Sequence, residues 1–444
     1  MNGYFNQQMK ELLKEEYPAF EKSMQEPLFR SLRINTSKTS AQELRENGFI
    51  LEEKSPFDQD SWYITGEEKM GNHPFHNAGL YYLQEPSSAM AVNALQIEEG
   101  DKVLDLCAAP GGKSTQILSR LNGTGLLVSN EIIYQRSAAL LGNLERWGYH
   151  NFILCNDTPE RIAASFEGFF DKVIVDAPCS GSAMFRKYPE SIDQYDENLV
   201  MMNRRRQLEI LNQASRCLKQ GGVLVYSTCT FNQQEDEGVI FTFLKGNEGY
   251  ELEDTGITAG RTGYPYEDLD YEKVRRALPM DKGEGHFVAR IRKTAQQSER
   301  RFRTANYDRN QLVDEFLDSN TEEKIAYKII KDRVFYTSFP LQDLSCKVIR
   351  NGALIGEIVK NRFEPAHHFY LLNDLTFRNR VDLEDISQAE KFMKGETLSI
   401  SGIRGYVQIA FRHHAIGFGK GDGRIIKNHY PKGLRLLSKI NENI

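Results

Sequence analysis

The sequence predicts an α/β protein built around a doubly wound, mostly parallel sheet, with a small mixed block before it and a β-rich block after it. Three observations carry this expectation. From about residue 80 to residue 293, short apolar runs alternate with amphipathic segments, the rhythm of parallel strands joined by helical crossovers. Paired glycines, Gly111 and Gly112, separate the first of these runs from its helix. At 444 residues the chain exceeds what one core ordinarily organises, so its differently textured ends read as further domains.

The elements follow in order. Residues 4–24 space Phe5, Met9, Leu12, Leu13, Tyr17 and Phe20 three to four apart, an amphipathic helix. LFRSLRINT (28–36) reads as a strand, SAQELREN (40–47) as a helix ended by Gly48, and FILEEK (49–54) as a strand. In the middle block KVLDLCA (102–108), GLLVSNE (125–131), NFILCND (151–157), DKVIVDAP (171–178), GGVLVYSTC (221–229) and GEGHFVARIRK (283–293) read as strands. Helices are expected at 111–121, 134–148 and 198–219. Residues 305–365 form a second mixed segment, and the glycine-separated runs of 396–423 suggest a small β domain. The expected division is 1–78, 79–293, 294–365 and 366–444.

Composition narrows the function classes. No apolar run reaches the length of a membrane span, and the N-terminus lacks the basic and apolar regions of a signal peptide, so a cytoplasmic protein is expected. Six scattered cysteines without a CxxC pair argue against a disulfide framework and against zinc, and no metal is expected. Net charge is −6, yet cations cluster over 290–309 and through the last forty-odd residues, from Arg404 through Lys427 and Arg435 to Lys439, against Asp422 and Glu442. Such local basic faces attract phosphates, whereas scattered charge is ordinary solvated surface.

In a doubly wound sheet the site lies at the carboxyl ends of the strands. The first ends in DLCAAPGGK (105–113), whose glycines admit a ligand close to backbone, although the spacing is neither that of a Walker loop nor GxGxxG. Glu131 follows Gly112 by nineteen residues, a distance suited to ribose hydroxyls. The next strands end in Asp157 and Asp176. One such acid is most simply a cap; four beside a glycine turn suggest an adenosine-bearing ligand, with the ribose on Glu131 and the adenine amino group on Asp157. These residues fit NAD and S-adenosylmethionine alike. Cys179 follows the fourth strand and Cys229 ends the fifth, so neighbouring strands would bring the thiols within roughly a dozen ångströms. A thiol beside such a ligand suits methylation of cytosine carbon 5. Addition of a thiolate to carbon 6 makes the ring an enamine, which carries out one hard step as two easier ones. Asp176 is placed as the acid at ring nitrogen 3. Amine methylases, which need no thiol, commonly carry D/N-P-P-Y where this chain has DAPC.

The motifs YYLQEPSSAMAV, VLDLCAAPGGKSTQ, VSNEIIYQRSAALLGNLERWG, DKVIVDAPCSGSAMFRKYPE, GGVLVYSTCTFNQQEDE and GHFVARI together resemble the Sun/RsmB/RsmF family of RNA 5-methylcytosine methyltransferases. LFRSLRINTSK is similar to that family's N-terminal subdomain, and GYVQIAFRHHAIGFGKGDGRIIKNHYPKGLR to the PUA-like domain of RsmF-type members. The resemblance implies a Rossmann-like S-adenosylmethionine methyltransferase core between a small α/β N-terminal subdomain and a PUA-like C-terminal domain. It implies Cys229 as the nucleophile and Cys179 as the group assisting proton removal and release. It implies a cofactor shell of Cys107, Ala108, Ala109, Pro110, Gly111, Gly112, Lys113, Glu131, Arg136, Asp157 and Asp176. Lys187 and Pro189 would border the target base, and Arg33, Lys427 and Arg435 would meet RNA. The implied partner is 16S rRNA or the small ribosomal subunit, engaged by a monomer. A tRNA substrate, or an assembly factor with a residual methylase fold, are the alternatives. The sequence departs from the family at His286, where an aromatic is more frequent.

Overall fold

The computed structural model of the chain describes residues 2–65, 70–342 and 344–436. Lys439 and Glu442 of the basic tail lie outside the described residues.

The chain opens with α1 (Gly3–Leu13) and α2 (Tyr17–Ser23). The single helix expected over 4–24 is interrupted at Lys14, whose φ is +48°. Its apolar stripe survives the break: Phe5, Met9, Leu13, Tyr17 and Phe20 pack with Phe185, Tyr195 and Phe231 of the middle block. Next come β1 (Ser31–Ile34), α3 (Ala41–Glu46), β2 (Ser61–Tyr63), α4 (Pro74–Asn77) and β3 (Tyr81–Gln84). The strands form an antiparallel sheet in the order β2-β1-β3. FILEEK is not one of them. Phe49 and Leu51 are buried and Ile50 is exposed, as alternation requires, but the segment meets β2 through an isolated bridge, Lys54 to Trp62.

The middle block contains α5 (Met90–Leu95), β4 (Lys102–Asp105), α6 (Gly112–Leu121), β5 (Leu126–Asn130), α7 (Tyr134–Trp147), β6 (Phe152–Cys155), α8 (Pro159–Phe166), β7 (Phe170–Asp176), α9 (Glu197–Arg216), β8 (Leu218–Thr228), α10 (Glu237–Gly246), β9 (Tyr250–Glu253), β10 (Arg261–Thr262), β11 (Arg275–Ala277) and β12 (His286–Lys293). Strands β6-β5-β4-β7-β8 lie side by side and parallel, and β12 adds antiparallel to β8. Side-chain alternation sorts each strand between two cores. Val103, Ile174, Val223 and Val225 face α5, α6 and α7, while Leu104, Val173, Val175 and Leu224 face α8, α9 and α10. The strand order reverses between β4 and β7, so a crevice opens beyond Asp105 and Asp176.

The rest of the chain comprises α11 (Gln311–Asn320), β13 (Tyr327–Ile330), β14 (Arg333–Tyr336), β15 (Val348–Asn351), β16 (Ala353–Val359), β17 (Arg362–Pro365), β18 (Arg380–Leu383), α12 (Ile386–Met393), β19 (Arg404–Phe411), β20 (His414–Asp422) and β21 (Ile426–Asn428). Strands β13, β14, β16 and β17 form one sheet, and β18 to β21 another. β15 instead pairs antiparallel with β6 and covers that edge of the central sheet. The sheet of β18 to β21 folds back on the N-terminal block. Phe392, Phe411 and Ile416 share one core with Phe49, Phe75 and Leu80. Lys38 pins the junction, its Nζ donating to the carbonyls of Ala78, Arg146 and Leu371 at 2.7, 3.1 and 3.0 Å. Among the described residues, no helix is long and apolar enough to cross a membrane.

Candidate active site

The two sulfurs flagged by sequence meet. Cys179 Sγ lies 3.4 Å from Cys229 Sγ, closer than strand spacing alone required. The loops after β7 and β8 are stapled together to achieve this. Thr230 Oγ1 is 2.9 Å from both Ser180 Oγ and Ser182 Oγ, and Ser182 Oγ accepts from the N–H of Phe231 at 2.8 Å. Glu235, buried, accepts from the N–H of Ser180 at 2.9 Å and from Gln207 Nε2 at 2.8 Å. The hydrogen bond to Cys229, and then burial, push the Cys179 thiol well up, so that Cys179 keeps its proton. Both cysteines line a cavity of about 440 Å³ together with Cys107, Ala109, Asn130, Glu131, Ile132, Ile133, Arg136 and Asp176.

The crevice floor is a charged relay. Asp176 accepts from Lys113 Nζ at 2.8 Å and from Ser227 Oγ at 2.8 Å. Burial alone would raise its pKa, but Lys113 and His286 more than offset that and hold it below the usual carboxylate value. The expectation of Asp176 as a ready acid therefore changes: in the resting site it is a carboxylate. Asp105 differs. It is buried, accepts from Ser114 Oγ at 2.7 Å, and has its other oxygen without a partner. Burial pushes its pKa up to about 7. Cys107, also pushed up by burial, is a neutral wall residue.

Gly111, at φ +113°, starts the turn into α6, and a Cβ there would lie 3.1 Å from Leu140 Cδ1. Glu131 accepts from the N–H of Ile133 at 2.8 Å and faces Arg136 Nη1 at 3.2 Å, while Arg136 Nη2 donates to the carbonyl of Ala109 at 2.8 Å. Arg136 is thus a brace between the acid and the turn. Asp157 is turned away from the cavity. Its carboxylate accepts from the N–H groups of Thr158 and Lys347 and pairs with Arg161 at 3.2 Å, which leaves little of it for an adenine amino group.

The expected RNA contacts divide. Lys187 and Lys427 are exposed. Arg33 is 1% exposed and structural, donating to the carbonyl of Gly112 at 2.9 Å and to Thr115 Oγ1 at 2.7 Å, with Trp147 stacked 4.9 Å away. Arg435 packs its guanidinium against Gly395. Arg290 and Lys293 of the basic linker are buried too, Arg290 on Glu253 at 2.9 Å. Sequence reading did not find Glu85 or assign His286 a place at the site. His286 Nε2 lies 3.7 Å from Asp176 and Nδ1 3.9 Å from Glu85, and neither ring nitrogen has a hydrogen-bond partner. The departure from the aromatic pattern at 286 marked the position without indicating that it reaches Asp176.

Against known proteins, residues 92–292 match the 16S rRNA methyltransferase RsmB/F family. The ribosomal RNA small subunit methyltransferase F of Vibrio atlanticus is 31% identical over 450 residues, covering 94% of this chain and 93% of that one. The chain belongs to the RsmB/F family. Its flanks carry RsmF-type modules: the N-terminal domain over 1–86, the first C-terminal domain over 313–372 and the PUA domain over 378–436. The methyltransferase F of Vibrio vulnificus is 30% identical, covering 92% of each chain. Among solved structures, a methyltransferase homolog from Pyrococcus horikoshii is 29% identical with TM-score 0.57, covering 65% of this chain and 94% of that one. NSun6 of the same organism, solved with SFG, is 22% identical with TM-score 0.59 and shares the fold.

The site suits the S-adenosylmethionine of the RsmB/F family. The partnerless Asp105 oxygen beside the glycine turn would suit an ammonium group, and Glu131 at the cavity wall would suit ribose hydroxyls. This has a pH consequence. A carboxyl with a pKa near 7 is charged only above that value, so holding an ammonium below it means first losing a proton. Affinity for S-adenosylmethionine should fall about tenfold from pH 8 to pH 6. Titration calorimetry at the two values measures this, and an unchanged or tighter Kd at pH 6 would remove Asp105 from the ammonium site.

Proposed function

We propose that this chain methylates carbon 5 of cytosine in 16S rRNA, with S-adenosylmethionine as donor and Cys229 as the covalent nucleophile. The observation that carries the reading is the 3.4 Å approach of Cys179 and Cys229 at the mouth of a cavity that also presents Asp176. When bound, S-adenosylmethionine supplies an electrophilic methyl group. The protein's residues do the rest. Cys229 adds through sulfur to carbon 6, which makes carbon 5 nucleophilic. Asp176, ionised, accepts the exocyclic amino group and so orients the base. It acts as an acid toward ring nitrogen 3 only after taking up a proton, and the thiol proton surrendered on addition is the one at hand. After transfer, Cys179 gives its own proton to the departing Cys229 sulfur 3.4 Å away and takes the carbon-5 proton in its place, the bond from Cys229 to carbon 6 breaks, ring nitrogen 3 returns its proton to Asp176, and the RNA leaves. A paired cytosine is unstacked first, at a cost of about a few kcal/mol, offset by phosphate contacts from Lys187 and the exposed cations of the terminal sheet, Lys420 and Lys427 among them. The protein works as a cytoplasmic monomer on rRNA or the small subunit.

Bisulfite sequencing of 16S rRNA and tRNA from cells with and without the protein tests the reading. A protected cytosine lost from 16S rRNA supports it; one lost from tRNA alone overturns the substrate. Cys179→Ala should accumulate a protein–RNA adduct that survives a denaturing gel, because addition proceeds and elimination stalls. Clean turnover without any shifted band would remove Cys179 from the release step.

A further inference from the structure

We infer that an apolar groove beside the catalytic crevice is the binding subsite for the base adjoining the target cytosine in the RNA strand. This rests on the reading of the chain as an RNA cytosine methyltransferase. A cavity of about 280 Å³ on the far side of Asp176 is lined by Asp105, Lys113 and Asp176 and closed by Leu83, Gln84, Glu85 and Met184. Those last four residues also line a second cavity, of about 370 Å³, which runs on to Leu28, Phe29 and Ile64. The second cavity therefore shares a wall with the first, which itself borders Asp176, where the target base must sit.

Its chemistry suits a base. The lining is largely hydrocarbon, and Leu28 on it is 39% exposed among the described residues. Exposed Lys187 stands on the same lining, where a phosphate between the two nucleotides would be met. The two carboxylates that face the groove are already engaged. Glu284 pairs with Arg186 at 3.1 Å and accepts from the N–H of Phe29 at 2.6 Å, and Glu85 accepts from Ser87 Oγ at 2.7 Å. Extruding a nucleotide costs its neighbour a stacking partner, and an apolar slot at the next position restores that contact. Contact through hydrocarbon faces reads no base edge, so the subsite tolerates any base and discriminates against none.

The test uses the full chain and a short oligoribonucleotide with a single cytosine, intact or abasic at its 5′ or its 3′ neighbour. Fluorescence anisotropy gives Kd for the wild type and for Leu28→Ser, a substitution at an exposed position outside the reacting groups. One abasic strand should bind the wild type about tenfold more weakly than the intact strand, the scale of one stacked base. Leu28→Ser should show the same loss on the intact strand and no further loss on that abasic strand. Equal binding of all three strands by the wild type, or a Leu28→Ser penalty that is the same on every strand, would overturn the subsite. Methyl transfer to a 16S rRNA transcript is followed separately. Its absence would sink the enzymatic reading and leave the binding result standing.

Discussion

Cys229→Ala should lose methyl transfer by on the order of 10⁴-fold or more, the scale on which removing a covalent nucleophile acts, while S-adenosylmethionine still binds. Carbon 5 of cytosine attacks a methyl group only after a sulfur has added at carbon 6, and the alternative sulfur is poorly suited. Cys179 holds its proton, and the loop that carries it is fixed by Glu235 and Thr230. Glu131, Arg136 and the glycine turn reach the cavity from other elements and should keep their places. Single-turnover transfer from labelled S-adenosylmethionine to RNA measures the loss, and calorimetry measures the retained binding. Residual transfer within about tenfold of the wild type would mean that another group activates the base. The contrast with Cys179→Ala is then diagnostic: one variant forms no adduct, the other forms an adduct and keeps it.

Arg276→Met should cost about 3–5 kcal/mol of stability, the usual penalty for stranding buried charge, and lower Tm by roughly 10 °C for a domain of this size. Arg276 is 1% exposed. Its guanidinium donates to Glu237 through Nε at 2.8 Å and Nη2 at 2.5 Å, and Nη2 lies 2.8 Å from Asp236 Oδ2. Removing it leaves two buried carboxylates facing each other. Its Nη1 also donates to the carbonyl of Phe231 at 3.2 Å, and Asp236 accepts from Thr228 Oγ1 at 2.5 Å. The segment so held, 228–237, carries Cys229, so placement of the thiol should loosen with the fold. Arg276→Lys should recover little, because an ammonium cannot reproduce the forked contact. Thermal denaturation followed by circular dichroism decides it; a shift under about 2 °C would show that the carboxylates find other partners.

Much of the central block was legible because its strands are buried on both faces and its helices on one. KVLDLCA, DKVIVDAP and GGVLVYSTC each keep a continuous apolar run up to a polar break, and Cys229 and Asp176 stand at such breaks. The long helix ends at Arg216 and β8 begins at Leu218, ahead of the glycines where sequence placed its start, because Leu218 already pairs with Phe170 before an irregularity after which the ladder resumes at Val223. Charge was the weaker guide. Arg33, Arg290, Lys293 and Arg435 look in sequence like phosphate ligands, and the fold spends them on backbone carbonyls, an internal carboxylate and close packing. A cation's formal charge is local, while its partner arrives from a remote part of the chain.

By itself the sequence determined the alternation of strand and helix, the glycine turn before α6, the acids at the strand ends and the two cysteines in polar loops. These are properties of short stretches, fixed by side-chain period, backbone freedom and residue chemistry. Only the tertiary structure decided that the thiols touch, that Lys113 holds Asp176 below the usual carboxylate value while burial raises Asp105, that Asp157 accepts from the N–H of Lys347 just before β15, and that the terminal sheet closes onto the N-terminal block. Each of those depends on distances between segments far apart in the chain, and on the burial that strengthens every charge interaction it encloses.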